Sequence, residues 1–172
     1  ILTSVGQASP RVNVRIVDDN GADLPTGEVG EILLTSPGVM KGYWNNTVAT
    51  IETLRDGWVH TGDMGRLDHE GYLYLVDRKK DMIISGGENI YSREVEEAVA
   101  SHPAVMDVAV IGVKDEYWGE TVRAVCVLNA GQTATESELI EHAKTQIASY
   151  KKPKSVVFVD ELPRLPSGKI NK

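Results

Sequence analysis

From Val12 to about Asp77, apolar and polar residues alternate in short runs, which is the two-residue period of half-buried strands. "RVNVRIVDDNGADLP" sets Val12, Val14 and Ile16 on one face and turns at Asp19-Asn20-Gly21. "GEVGEILLTS" gives a second run, bounded by Gly27, Gly30 and Pro37. "GWVHTGDMGRLDHEGYLYLVDR" reads as two further strands around a turn at His69-Glu70-Gly71. Nothing helical stands out beyond a turn near "NNTVATIETL". Short strands at this spacing predict a barrel-like or sandwich-like all-β piece.

After "DRKKD" the period changes. "DMIISGGENIYS" predicts a β-hairpin, with Gly86-Gly87 able to take the positive φ angles of a tight turn. "SREVEEAVASHP" predicts a helix capped by Ser92, with Val95, Ala98 and Val99 on one face and Pro103 as the stop. "VMDVAVIG" and "TVRAVCVL" read as strands. Thr135 and Glu138 have capping-box spacing, Leu139, Ala143 and Ile147 follow on one helical face, and Pro153 ends the run. "SVVFV" supplies a last strand. The expected fold is therefore α+β: the barrel-like segment over residues 1–79, then a small, mobile α+β domain over residues 80–172. The charge run Asp77 to Asp81 separates them, either as a solvated linker or as a hinge near Lys80.

Composition narrows the function. A chain of 172 residues with 41% hydrophobic content can bury a real core. Eighteen Lys and Arg against 25 Asp and Glu leave a net charge of −7, which argues against a nucleic-acid binder. Cys126 is the single cysteine, so no internal disulfide or cysteine-based zinc site can form. His60, His69, His102 and His142 share no ligand spacing, and no metal site is expected. No apolar run approaches a membrane span and no signal peptide is visible, so the expected location is cytoplasmic. "ILTSVGQASP" lacks an initial methionine and reads as cut from a longer chain.

Five places could carry chemistry. In "WVHTGDMG", Gly62 allows close backbone approach and Asp63 can accept from the two vicinal hydroxyls of a ribose; the alternative is a strand-ending turn. Arg78 could fork onto the same sugar or pair on the surface with Asp77 or Asp81. "YKKPK" concentrates positive charge, either to complement a helix C-terminus or to hold an anion. Trp118, in the loop "DEYWGE", either covers the core or stacks on a base. Ser167-Gly168 gives Lys169 a mobile backbone, so its ammonium is either an idle tail charge or one that travels to a carboxylate and a phosphate.

Together, "GEVGEILLTSPGVMKGYWNN", "GWVHTGDMG", "GYLYLVDRKKDMIISGGENIYSREVEEAV" and "LPRLPSGKI" resemble the adenylate-forming superfamily in order and spacing. That superfamily comprises acyl- and aryl-CoA synthetases, peptide-synthetase adenylation domains and beetle luciferases. "SGGENIYSREVEE" is most similar to the bacterial acyl- and aryl-CoA synthetases. The resemblance implies an AMP-forming acid–thiol ligase that uses MgATP to make an acyl-adenylate, then passes the acyl group to CoA. It implies ribose binding by Asp63 with help from Arg78, and a domain hinge at Lys80. Gly87, with Gly86 beside it, falls in the hairpin that lines the pantetheine passage. Trp118, Tyr150, Lys152 and Lys154 match positions that contact the CoA nucleotide. Lys169 matches the lysine that bridges the attacking carboxylate and the α-phosphate. It also implies a large preceding domain with the phosphate loop, the acid pocket and the Mg²⁺-binding glutamate. None of those strings occurs in this chain, which is therefore expected to be inactive alone.

Two other readings stand beside this one. A carrier-protein-loading adenylation domain would use the same hairpin and lysine. A regulatory module that binds a small molecule would share the order of elements over residues 92–159, but has no use for Asp63, Arg78 and Lys169 in register.

Overall fold

The structure is a computed structural model that describes residues 4–172. The chain divides into two compact units, Ile1–Lys80 and Asp81–Lys172.

The first unit is a sheet of six antiparallel strands: β1 (Gly6–Gln7), β2 (Asn13–Val17), β3 (Gly30–Thr35), β4 (Leu54–Arg55), β5 (Trp58–Leu67) and β6 (Tyr72–Arg78). Its order is β1-β6-β5-β3-β2, with β4 paired to β5. Among the described residues this barrel-like piece is an open antiparallel sheet that does not close on itself. Ile16, Val17, Ile32, Leu33, Met64 and Val76 form its buried apolar positions. Helix α1 (Thr47–Thr53) begins where Asn46 Oδ1 accepts from the Ala49 N–H at 3.0 Å, and it buries none of its residues. Trp44 beside it is 92% exposed.

A short 3₁₀ turn, Lys79–Asp81, leads into the second unit. There β7 (Ile83–Ser85) and β8 (Glu88–Ile90) make the hairpin, α2 spans Ser92–Ala100, and β9 (Val105–Asp115) and β10 (Gly119–Leu128) make a long antiparallel pair. Helix α3 (Glu136–Gln146) and β11 (Ser155–Phe158) follow, with β11 parallel to β10. The hairpin, helix, strand, strand, helix, strand order is the one the pattern predicts.

The two-residue period of β9 and β10 sends side chains to two different clusters. Val108, Val110, Val122, Ala124 and Cys126 pack with Val95, Val99, Leu139 and Ala143 of the helices. Ala109 and Val127 point the other way, onto Leu162, with Val125, Val159 and Ile170 packed around them. Each large apolar side chain buried this way contributes about 1.5–3 kcal/mol. Helix glutamates reach two strands: Glu96 accepts from the Val110 N–H at 2.8 Å and Glu136 from the Val156 N–H at 2.9 Å. Occupying strand N–H groups in this way protects a sheet from pairing with another chain.

Two local expectations are corrected. Ser92 is not the cap of α2: it is the first helical residue, fully buried, and Tyr91 holds the N-cap position without a side-chain bond to the helix's first N–H groups. Helix α3 ends at Gln146, because Ile147 adopts an extended conformation, well before Pro153. The capping box is present as expected, with Thr135 and Glu138 bonded reciprocally.

Candidate functional site

In the first unit, Asp63 and Arg78 face each other across β5 and β6. A one-residue register shift between Met64 and Gly65 produces this pairing. Extending the register that precedes the shift, Gly65 opposite Leu75, would set Asp77 opposite Asp63 and confront two carboxylates. Instead Arg78 Nη1 donates to Asp63 Oδ1 at 2.6 Å, with both side chains partly exposed. The Asp63 N–H donates to Thr61 Oγ1 at 3.1 Å, and that hydroxyl donates to the Ile32 carbonyl at 2.7 Å. The carboxylate is thus held on its strand while retaining acceptor capacity for further donors.

Just before Lys80, Lys79 Nζ sits 2.9 Å from both Asp19 Oδ1 and Glu31 Oε2. Burial acts to lower the Lys79 pKa, but the hydrogen bonds to Asp19 and Glu31 outweigh it and the net shift is upward. Glu31 is nearly buried, and His60 Nδ1 lies 3.6 Å from its Oε1. Lys79 and Glu31 were not singled out from sequence, since a charge run gives no sign of which member turns inward.

In the second unit the hairpin and the β9–β10 loop come together. Gly86 and Gly87 have φ of 60° and 86°, and the Gly86 N–H donates to the Trp118 carbonyl at 2.9 Å. The indole lies against Gly86 so closely that a Cβ there would stand 2.7 Å from Trp118 Cε3. Lys154 Nζ is 5.2 Å from the centroid of the indole, and Tyr117 packs edge-on against it at 4.7 Å. Asp115 Oδ1 fixes the loop by accepting from the Tyr117 and Trp118 N–H groups, each at 2.9 Å. Those bonds, the one from Trp118 first, hold the Asp115 pKa below its ordinary value. Asp115 and Tyr117 are further residues that sequence reasoning missed, although an Asp two and three residues ahead of its bonded amides is a legible turn signal.

Gly86, Trp118 and Lys154 are therefore one cluster, with Gly87 in the same turn. Tyr150 is exposed and Lys152 half-buried, and among the described residues no hydrogen bond, ion pair or ring contact draws either into it. Lys151 turns to Glu94 of α2, at 2.7 Å. The lysine cluster does not cap α3, which has already ended at Gln146.

Lys169 is exposed, but the expected mobile backbone is corrected to a closed turn. The Leu165 N–H donates to the Lys169 carbonyl and the Gly168 N–H to the Leu165 carbonyl, both at 2.8 Å. The Asn171 N–H reaches the Pro163 carbonyl at 2.8 Å. Gly168, at φ 81°, makes the reversal possible. Among the described residues no group of three or more His, Cys, Asp or Glu could hold a metal ion. Nor is any described helix long and apolar enough to cross a membrane.

Residues 94–169 match the AMP-binding enzyme C-terminal domain, and residues 1–44 match the AMP-binding enzyme family. The chain belongs to this adenylate-forming family. It is 50% identical over 169 residues to an indoleacetate–CoA ligase of Aromatoleum aromaticum, covering 98% of this chain and 33% of that protein. It is 48% identical over 168 residues to a long-chain-fatty-acid–CoA ligase of Bacillus subtilis, covering 97% and 30%. An o-succinylbenzoate CoA synthetase of Bacillus subtilis, solved with its acyl-adenylate intermediate, superposes with a TM-score of 0.90 at 41% identity, over 97% of this chain and 34% of that one. The same enzyme has also been solved with ATP and a magnesium ion, with a TM-score of 0.88 at 41% identity over the same shares. The chain thus spans about a third of the length of the curated relatives it matches.

Proposed function

We propose that this chain supplies the C-terminal third of an AMP-forming acid–thiol ligase whose acceptor is CoA. Residues 1–79 end the large adenylation domain and residues 80–172 form its mobile C-terminal domain, turning about Lys80. In the first half-reaction a carboxylate oxygen attacks the α-phosphorus of ATP, forming the acyl-adenylate as pyrophosphate leaves. Asp63 accepts from the ribose hydroxyls, Arg78 orients the Asp63 side chain, and Lys169 neutralises charge between the substrate carboxylate and the α-phosphate. In the second half-reaction the CoA sulfur attacks the acyl carbon and AMP leaves. The Gly86-Gly87 turn lines the thiol's approach, and the indole of Trp118 with the ammonium of Lys154 receives the CoA nucleotide, with Tyr150 and Lys152 nearby in sequence. Rotation alternates the two arrangements, so one acid site serves two reactions.

The observation that carries this reading is the Gly86–Trp118–Lys154 face: an indole with a cation suits a nucleotide, whose base a carrier protein's phosphopantetheine arm lacks. The test is acid-dependent pyrophosphate release by the parent-length polypeptide with short, medium, long and aromatic acids, alongside Lys169→Ala. Release with one class of acid, lost in the variant, supports adenylation and names the acid. Thioester formation with CoA but not with bare pantetheine supports the nucleotide face; transfer to a carrier protein alone would replace CoA as the acceptor. The 172-residue chain by itself is expected to give no ATP–pyrophosphate exchange.

A further inference from the structure

The turn that presents Lys169 is held on both flanks, by different elements. On the N-terminal side the Arg164 guanidinium divides: Nη1 donates to the Gly168 carbonyl at 3.0 Å, and Nη2 to the Asp107 carboxylate on β9. On the C-terminal side Lys172 Nζ donates to Glu96 Oε1 at 2.6 Å and to Ser92 Oγ at 2.7 Å, both on α2. These partners are themselves fixed. Ser92 is fully buried, and Glu96 also takes the Val110 N–H. The Lys172 and Glu96 side chains are only 17% and 21% exposed, so solvent and salt screen this pair weakly. Between the clamps, Ile170 packs against the Ala109, Val127 and Leu162 cluster. Lys169 itself points out with no ion pair among the described residues.

We infer that Arg164 and Lys172 are positioning residues for Lys169, with Asp107 and with Glu96 and Ser92 as their anchors. The inference rests on the role proposed above for Lys169. Two ionic clamps and one apolar peg fix the backbone of the lysine, so its ammonium is presented by a preformed turn. Electrostatic stabilisation is most effective when the charge needs no rearrangement at the moment of reaction. Displacement of a reacting group by about 1 Å can cost on the order of a hundredfold in rate. The clamps serve the adenylation step, because the role proposed for Lys169 lies there and not in thioester formation.

Two measurements test this. In the parent-length polypeptide, Arg164→Met and Lys172→Met are expected to slow pyrophosphate release roughly ten- to a hundredfold through kcat. Thioester formation from supplied acyl-adenylate should stay within twofold, and Lys172→Arg, which keeps the pair with Glu96, should restore release. In the 172-residue chain, amide exchange at Leu165, whose N–H bonds to the Lys169 carbonyl, should accelerate in both Met variants. Equal loss of both half-reactions would reduce the clamps to general stability and overturn the inference. So would normal release by both Met variants while Lys169→Ala is inactive, a result that leaves the reading of Lys169 standing. Normal release by Lys169→Ala removes that reading and this role together, whatever the exchange rates show.

Discussion

Replacing Gly86 by alanine tests the Trp118 face directly, because its neighbour provides a built-in control. Both glycines lie at positive φ, where an alanine pays about 1–2 kcal/mol for the left-handed backbone. At Gly87 a Cβ meets no atom within 4 Å, so that penalty is the whole effect. At Gly86 the new carbon stands 2.7 and 2.9 Å from Cε3 and Cζ3 of the Trp118 ring. Carbon atoms in contact prefer about 3.5–4.0 Å, so the ring must recede by roughly 1 Å. Overpacking in a closed core costs about 1–3 kcal/mol, and the partly exposed ring can swing outward, which puts the added cost near 1 kcal/mol. The expected losses are therefore about 1–2 kcal/mol for Gly87→Ala and about 2–3 kcal/mol for Gly86→Ala. Urea unfolding followed through Trp118, with Trp44 and Trp58 replaced by phenylalanine, reads both the stability and the ring's surroundings. Only Gly86→Ala should red-shift the emission of the folded chain. Equal destabilisation by the two variants, with identical spectra, would show that the indole does not rest on Gly86.

Three further outcomes follow from the same geometry. Asp115 has its pKa lowered by the bonds from Trp118 and Tyr117, so its contribution is present above the ordinary aspartate value of 3.8 and fades as pH falls through the folded value. Trp118 emission in the same background should change in that acid range and lose the transition in Asp115→Ala; an unaltered titration counts against it. Burial pushes the Cys126 thiol up to about 11, so iodoacetamide at pH 8 should label it only after unfolding, and rapid labelling of the folded chain would contradict its burial. Thr135→Ala removes one half of the α3 capping box and should cost about 1 kcal/mol in urea unfolding, with no change there refuting the cap.

What could be read from the sequence were features set by neighbours along the chain. The capping box needs only residues three apart, and the Gly86-Gly87 hairpin only its own turn. The alternation of Val14 and Ile16 is equally local, whereas the order in which the strands pair depends on contacts between distant segments and has no signal in the alternation. Ser92 shows how local logic misleads. A serine before a helical run resembles a cap, but here tertiary packing takes its hydroxyl for Lys172, eighty positions away.

The candidate site divides along the same line. Asp63 and Arg78 were both visible, but the bond between them depends on a register shift of one residue that no periodicity encodes. The charge run Asp77 to Asp81 contains residues with quite different fates. One bulge decides that Arg78 and not Asp77 faces Asp63, and Lys79 is drawn onto Glu31 and Asp19. Placed beside Lys80, that anchored lysine fixes the last stretch of the first unit, where the proposed rotation must begin. The opposite end of the chain uses the same device. Arg164 and Lys172 bracket Lys169 with ion pairs to Asp107 and Glu96, partners far away in sequence. In both places long-range ion pairs commit a charged side chain to the fold beside a residue proposed to act, and a line of letters does not show which charge is committed.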